Sequence, residues 1–400
     1  MKKLHFLEVE GNTKGFYTFL GLFGLISLIG VLAAYYMEHN GHWVTGMSNQ
    51  VIWGTPHVFA IFLIVAASGA LNVASISSVF AKTTYKPLAR LSGILAMALL
   101  AGGLVVLLLD LGRPDRLIVA MTKFNFVSIF TWNIFLYTGF MGIVGIYLWT
   151  MMDRPYNNFT KKAGMLAFIW RLILTTGTGS IFGFLIAREA YDAALLAPMF
   201  VIMSFSYGLA VFMLVLMASY KYTQRNLGDF LVNRLKNLLG VFVAAVFYFV
   251  VVYHLTNLYS TDHREITVFI LTNGGIYTFL FWVVQIILGT LLPLILLYGP
   301  TGKNRTMIGL ASVLIILGGL AQLYVIIIGG QVYPMHLFPG MEVSSSFYDG
   351  VVASYAPSLP EFLLGLGGVG VALLLVTVAV AALKFLPASL SDEVANPHSK

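Results

Sequence analysis

The stretch Leu107-Leu-Leu-Asp-Leu-Gly-Arg-Pro-Asp-Arg116 closes a long apolar run with two acids and two arginines. Asp110 lies within that run or at its edge, where a carboxylate is costly in lipid and needs a partner, water or a function. Arg113 and Arg116 are its sequence neighbours of opposite charge. Two chemistries fit: a helix-end ion pair that fixes the turn, or a proton-handling carboxylate beside a ligand. Pro114 cannot continue a helix freely and turns the chain. His57 stands at a similar boundary, in Trp53-Gly-Thr-Pro-His57. Pro56 suits a first helical turn and Trp53 an interfacial belt. His57 is then either bonded to a loop carbonyl, or a hydrogen-bond partner and proton donor for the carbonyl of a ligand such as a quinone. Arg188-Glu-Ala-Tyr-Asp192 sets Arg188, Glu189 and Asp192 within five residues. That is a solvated helix cap, a proton inlet or a docking point for a partner.

The elements that must hold these residues are membrane helices. The chain has 400 residues, 59% hydrophobic and 10% charged, whereas soluble domains are about 25% charged. Apolar runs of bilayer-spanning length fall near 17–37, 54–81, 90–110, 127–151, 163–186, 196–220, 237–259, 272–298, 306–329 and 360–386. The expected fold is an all-α polytopic bundle of ten transmembrane helices in one integral membrane domain, 1–400. The first run is too long for a signal-peptide core and reads as a retained helix. There is no cysteine, which removes disulfides, iron–sulfur ligation, Cys-ligated zinc and c-type haem from this chain. Its net charge of +7 does not point to nucleic acid, since basic residues in membrane proteins mark the cytoplasmic face.

Placing both termini in the cytoplasm puts seventeen of the 23 Lys and Arg residues inside and five outside, with Arg171 within a span. That bias fits the positive-inside rule. The outer side then collects Glu38, Asp110, Asp115, Glu189, Asp192, Asp262, Glu265, Glu342, Asp349 and Glu361, together with His39, His42, His57, His254, His263 and His336. Function is expected at or just beneath that face. Trp132 and Asn133 open the fourth span there. An aromatic ring could sandwich a flat ligand, and a lone amide is most often an interhelical hydrogen bond. Gly177, Gly179 and Gly183, and Gly365, Gly367, Gly368 and Gly370, suit either close helix packing or room for a flat ligand. Arg171 either snorkels to the inner surface or belongs to a proton path. His57 and His254 are the histidines within spans, which leaves a bis-histidine haem b as an alternative.

With Asp110-Leu-Gly-Arg-Pro114 in place, the chain resembles the NrfD/PsrC family of quinone-interacting membrane subunits, in its ten-helix form. Trp53-Gly54, the Phe126–Phe140 segment and Tyr355-Ala-Pro-Ser-Leu-Pro-Glu361 support the likeness. The resemblance implies a quinone (menaquinone or ubiquinone) bound near the outer face, with no haem or iron–sulfur cluster in this chain. It implies a periplasmic ferredoxin-like iron–sulfur subunit as partner, and location in a bacterial or archaeal cytoplasmic membrane. Details such as TGTGSIFGFLIAREAYDAALLAP and YHLTNLY are most similar to members from dissimilatory sulfur metabolism. Those imply a multihaem cytochrome c and further membrane and cytoplasmic redox subunits. His57 and Asp110 are the positions carried over to the quinone head. Arg113, Arg188, Glu189 and Asp192 complete the expected proton-handling set, and Trp53, Trp132 and Asn133 the ring-binding set. Asp110, His57 and Glu189 are expected to converge on one cavity. A membrane anchor, a proton-translocating subunit without a redox site and a haem-b cytochrome are the rival classes.

Overall fold

The computed structural model describes residues 5–9, 13–334 and 350–395. Among them, ten helices are long and apolar enough to cross a membrane. They are α1 (Lys14–Asn40), α2 (Thr55–Ser78), α3 (Thr83–Leu109), α4 (Ile129–Met152), α5 (Arg154–Gly183), α6 (Leu196–Tyr222), α7 (Asp229–Tyr259), α8 (Ile276–Tyr298), α9 (Arg305–Val332) and α10 (Leu359–Ala382). The ten apolar runs are thus ten helices, and the protein is an all-α, multi-pass membrane bundle. His336, Glu342 and Asp349 lie outside the described residues. Helix ends differ from the apolar runs where a helix outlasts its apolar stretch. The clearest case is α7, which starts at Asp229 rather than near 237. Its first turns, Asp229-Phe-Leu-Val-Asn-Arg-Leu-Lys236, are amphipathic and bury Leu231, Val232 and Leu235. Such turns are held by packing, so a hydropathy run does not record them.

Helix α2 is the axis. It packs against α3, α5, α6, α9 and α10. Every residue from Thr55 to Ala70 is buried except His57. A helix apolar all round belongs in an interior, and between Thr55 and Ala70 this one leaves a single polar side chain accessible. Its contact with α6 is backbone to backbone. A Cβ on Gly69 would fall on the Ser204 carbonyl, and one on Gly208 on the Ala70 amide. Small residues bring membrane helices together in this way. The glycines of α10 serve the same end, since Gly367 meets Gly30 of α1 and Gly368 meets Gly102 of α3. By contrast, α1 packs chiefly along α10 and is exposed elsewhere.

Both chain ends meet at one end of the bundle. Strand β1 (Phe6–Leu7) pairs antiparallel with β2 (Leu386–Pro387), Phe6 opposite Pro387. Arg225 ties the pair to the end of α6 by donating to the Leu7, Glu8, Leu386 and Pro387 carbonyls. The start of α2 and the end of α3 lie at the opposite face, so the chain brings His57 and Asp110 to the same level.

Candidate functional site

At that opposite face a cavity of about 510 Å³ opens between α2, α3, α4 and α5, within the size range of small-molecule sites. Its walls are mostly apolar, from Leu104, Leu108, Phe130, Ile134, Ile181 and Phe182. Trp53, His57, Asn133, Tyr137 and Thr138 bring the polar groups. The short helix Leu117–Thr122 that follows Pro114 adds Leu117 and Met121 to the rim.

The start of α2, which carries His57, is held from two other helices. The Thr55 amide donates to Tyr355 Oη at 2.7 Å, and that hydroxyl donates to Glu361 Oε1 at 2.7 Å. Glu361 is fully buried. Its Oε2 accepts from the Gly46 amide at 2.8 Å and the Ser358 amide at 2.7 Å, closing a capping box at the start of α10. Burial, reinforced by the Glu361 carboxylate, pushes the Tyr355 phenol up, so it stays protonated and donates. Gly54 is required by this contact, because a Cβ there would collide with the Glu361 carboxylate and the Tyr355 hydroxyl. Gln331 of α9 fixes the residue before. Its Oε1 accepts from the Ile52 and Trp53 amides at 2.9 and 3.0 Å. Its Nε2 donates to the Trp53 and Ile327 carbonyls at 3.0 and 2.8 Å. The Trp53 ring then lies 6.2 Å from His57, 6.1 Å from Phe130 and 5.8 Å from Phe182, centroid to centroid.

Asp110 caps the end of α3, its amide bonded to the Val106 carbonyl at 2.9 Å. The residue is 6% exposed. His57 Nδ1 stands 2.8 Å from its Oδ2. Neither carboxylate oxygen receives a well-aligned hydrogen bond from any described residue. The C-terminal end of a helix dipole disfavours an anion as well. Asp110 therefore depends on His57 for compensation. With Nδ1 turned to Asp110, Nε2 is the ring nitrogen left to face the cavity. A carboxylate behind an imidazole fixes ring orientation and favours a proton on Nδ1, which leaves Nε2 to exchange a hydrogen bond or a proton with a ligand.

The family model described as "Polysulphide reductase, NrfD" matches residues 43–335, a range that takes in every residue lining the cavity. The chain belongs to the NrfD family. Among its relatives is an Archaeoglobus fulgidus protein named "Hdr-like menaquinol oxidoreductase integral membrane subunit", 28% identical over 98% of this chain and 99% of the relative. A selenate reductase subunit of Mesobacillus selenatarsenatis is 24% identical over 89% of this chain and 91% of the relative.

In this NrfD-family chain the sequence candidates divide. Trp53, His57 and Asn133 line the cavity, and Asp110 touches His57 from behind. Both Asn133 amide protons are taken by the Ile129 and Gly177 carbonyls, at 2.9 and 3.0 Å, so it is a helix fastener at the cavity wall. Trp132 points outward, 49% exposed, with Nε1 bonded to the Phe126 carbonyl; it cannot sandwich a ring in this cavity. Arg113 pairs with Asp115 through two contacts at 3.0 and 2.9 Å, not with Asp110. Arg113 beside it holds the Asp115 carboxyl below the usual carboxylate range. The helix-end pair expected for Asp110 is thus made by the next acid, because the chain turns away after Leu109.

Arg188 donates to the Gln331 and Gln50 carbonyls at 3.0 and 2.6 Å, clasping the end of α9 to the loop before α2. The Glu189 carbonyl meets His263 Nδ1 at 2.6 Å. Exposed Asp192 has φ 50°, and its amide donates to the Phe182 carbonyl. None of the three lines the cavity, so Glu189 does not join His57 and Asp110. Two further expectations are revised. Arg171 does not snorkel; it is fully buried on α5, with Nη2 bonded to Asn72 Oδ1 at 2.9 Å and its guanidinium between Phe168 and Phe205. His254 lines a separate small cavity against Phe281, so the two histidines within spans do not face one another across one cavity.

Sequence reasoning missed Gln331, Tyr355 and Tyr137. It counted Glu361 among the outer acids without a role. Ser358-Leu-Pro-Glu361 carries the capping-box spacing, which was the available signal. Gln331 had none, because Ile52 and Trp53 lie hundreds of positions away; Tyr355 stood in the family-like Tyr355–Glu361 pattern, but its contact with Thr55 spans 300 positions.

Proposed function

We propose that this chain is the quinone/quinol-exchanging membrane subunit of a larger redox assembly, with the quinone head in the Trp53–His57 cavity. The observation that carries this reading is the buried Asp110 carboxylate 2.8 Å behind His57, on the wall of an apolar cavity of about 510 Å³. A bound quinone supplies a carrier of two electrons and two protons. His57 donates a hydrogen bond from Nε2 to a ring carbonyl and passes protons there. Asp110 orients the imidazole through its contact with Nδ1. Trp53, Phe130 and Phe182 pack the ring and keep water out, and Leu117 and Met121 line the route for an isoprenoid tail. The menaquinol of the Archaeoglobus relative's name supports menaquinone as the type.

Further features of the proposal rest on charge bias and resemblance. Both termini are cytoplasmic, and the cavity opens toward the periplasmic face. There a ferredoxin-like iron–sulfur subunit docks and exchanges electrons singly with the quinone. The chain is DsrP-like, in a dissimilatory sulfur complex that includes a multihaem cytochrome c. Titration of the purified chain with menaquinone in nanodiscs, followed by the part of the tryptophan quenching that Trp53→Phe removes, tests the site. His57→Ala should weaken binding at least about ten-fold, the loss of one charge-assisted hydrogen bond. Equal affinity in wild type and variant rejects the placement. Co-purification of iron–sulfur and cytochrome c subunits tests the assembly, and a complex lacking both removes that part.

A further inference from the structure

Two adjoining cavities lie at the terminal face, remote from His57. The first, about 530 Å³, sits between α6 and α9 and is lined by Met217, Lys221, Arg225, Arg305 and Gly309, among others. The second, about 250 Å³, lies between α1, α6 and α10, with Phe16, Phe19, Phe23 and Val376 in its walls. Leu214, Ala218 and Tyr222 of α6 line both. One cavity is therefore cationic and its neighbour apolar, and they share a helix edge.

Among the described residues, the positive charge is only partly cancelled. Arg305 is neutralised by Asp229 at 2.6 Å. Arg225 spends its donors on four backbone carbonyls, which satisfy hydrogen bonds but bring no negative charge. Lys221 is exposed. Among the described residues, no carboxylate lies within ion-pair reach of Lys221 or Arg225. Tyr222, half-exposed beside them, sits where aromatic residues mark a membrane interface. From Tyr222 to Leu214 the shared edge runs roughly 12 Å toward the bilayer centre.

We propose that this cavity pair binds an anionic phospholipid. Its phosphate lies beside Lys221 and Arg225, and an acyl chain follows α6 past Ala218 and Leu214 into the pocket of Phe16, Phe19 and Phe23. Charge complementarity selects the head group, since basic pockets between membrane helices attract anionic lipids. The apolar wall selects a lipid over a soluble phosphate, which has nothing to place there. Two uncompensated cations, each contributing about five-fold, give a preference for anionic over zwitterionic lipid of roughly twenty-fold.

The test is native mass spectrometry of the full chain released from nanodiscs of phosphatidylcholine with phosphatidylglycerol admixed. Wild type should retain phosphatidylglycerol selectively. Lys221→Ala should lose about five-fold of that preference. Gly309→Leu, which fills the floor without changing charge, should lower retention of both lipids. Lys161→Ala removes an exposed cation that lines neither cavity and should change nothing. Equal retention of the two lipids by wild type overturns the proposal. So does a Lys161→Ala loss matching that of Lys221→Ala, which would indicate diffuse surface charge. Displacement of the bound lipid by inorganic phosphate alone would remove the acyl-chain half.

Discussion

Two buried acids stand near the start of α2, and their surroundings are opposite. Glu361 accepts hydrogen bonds from the Gly46 and Ser358 amides and the Tyr355 hydroxyl, and it lies outside the cavity wall. Asp110 has one companion, His57, and no well-aligned donor among the described residues. That companion forms part of the cavity wall. A buried carboxylate with three donors is a fastener, because its charge is already solvated by fixed dipoles. One that leans on a single titratable group has its charge coupled to whatever happens at that group. The two acids therefore separate holding the site from using it.

Substitutions should reveal the difference. The largest effect is expected at Asp110. Asp110→Asn keeps the shape and removes the charge behind His57, and quinol-linked electron transfer in the assembled complex should fall by about 10²–10⁴, the range of acid–base catalysis, with thermal stability nearly unchanged. Glu361→Ala should do the reverse. It leaves buried donors unpaired and should lower stability by about 3 kcal/mol, seen as a lower unfolding midpoint in detergent. The rate per folded complex should stay within about ten-fold, since both members of the His57–Asp110 acid–base pair remain. Tyr355→Phe breaks one link of the same chain, costing about 1–2 kcal/mol, and should raise the quinol KM more than it lowers kcat. Arg113→Ala should do least. Its pair with Asp115 is solvent-exposed and such pairs contribute little, so turnover should stay within about two-fold. A large Arg113 effect would return the arginine to the site and break the contrast.

Much of this was legible in the sequence. Ten apolar runs gave ten helices, because bilayer thickness sets a length that hydropathy reports directly. His57 and Asp110 each stood out as a polar group costly at its position. Their approach to one cavity was expected, but their direct contact was not, because the nearest opposite charges in sequence are Arg113 and Arg116, and the turn after Leu109 sends those outward. Sequence distance is a poor guide at a helix end, where the next few residues leave the axis. Trp132 misled for a related reason: one residue along a helix rotates a side chain by about 100°, which puts Asn133 on the cavity and Trp132 outside. Glu361 carried the spacing of a capping box but was read only as an outer acid, and its role as a brace for α2 depends on Tyr355 and Thr55 meeting across the fold.

The sharpest test compares the two acids in one preparation. Asp110→Asn and Glu361→Gln complexes would be assembled in the same membranes, matched for folded protein, and assayed for menaquinol-linked electron transfer. A deficit of at least about a hundred-fold for Asp110→Asn, with Glu361→Gln within about ten-fold of wild type, is the expected result. Comparable rates for the two variants, or a deficit confined to Glu361→Gln, would contradict the assignment of His57 and Asp110 as the working pair.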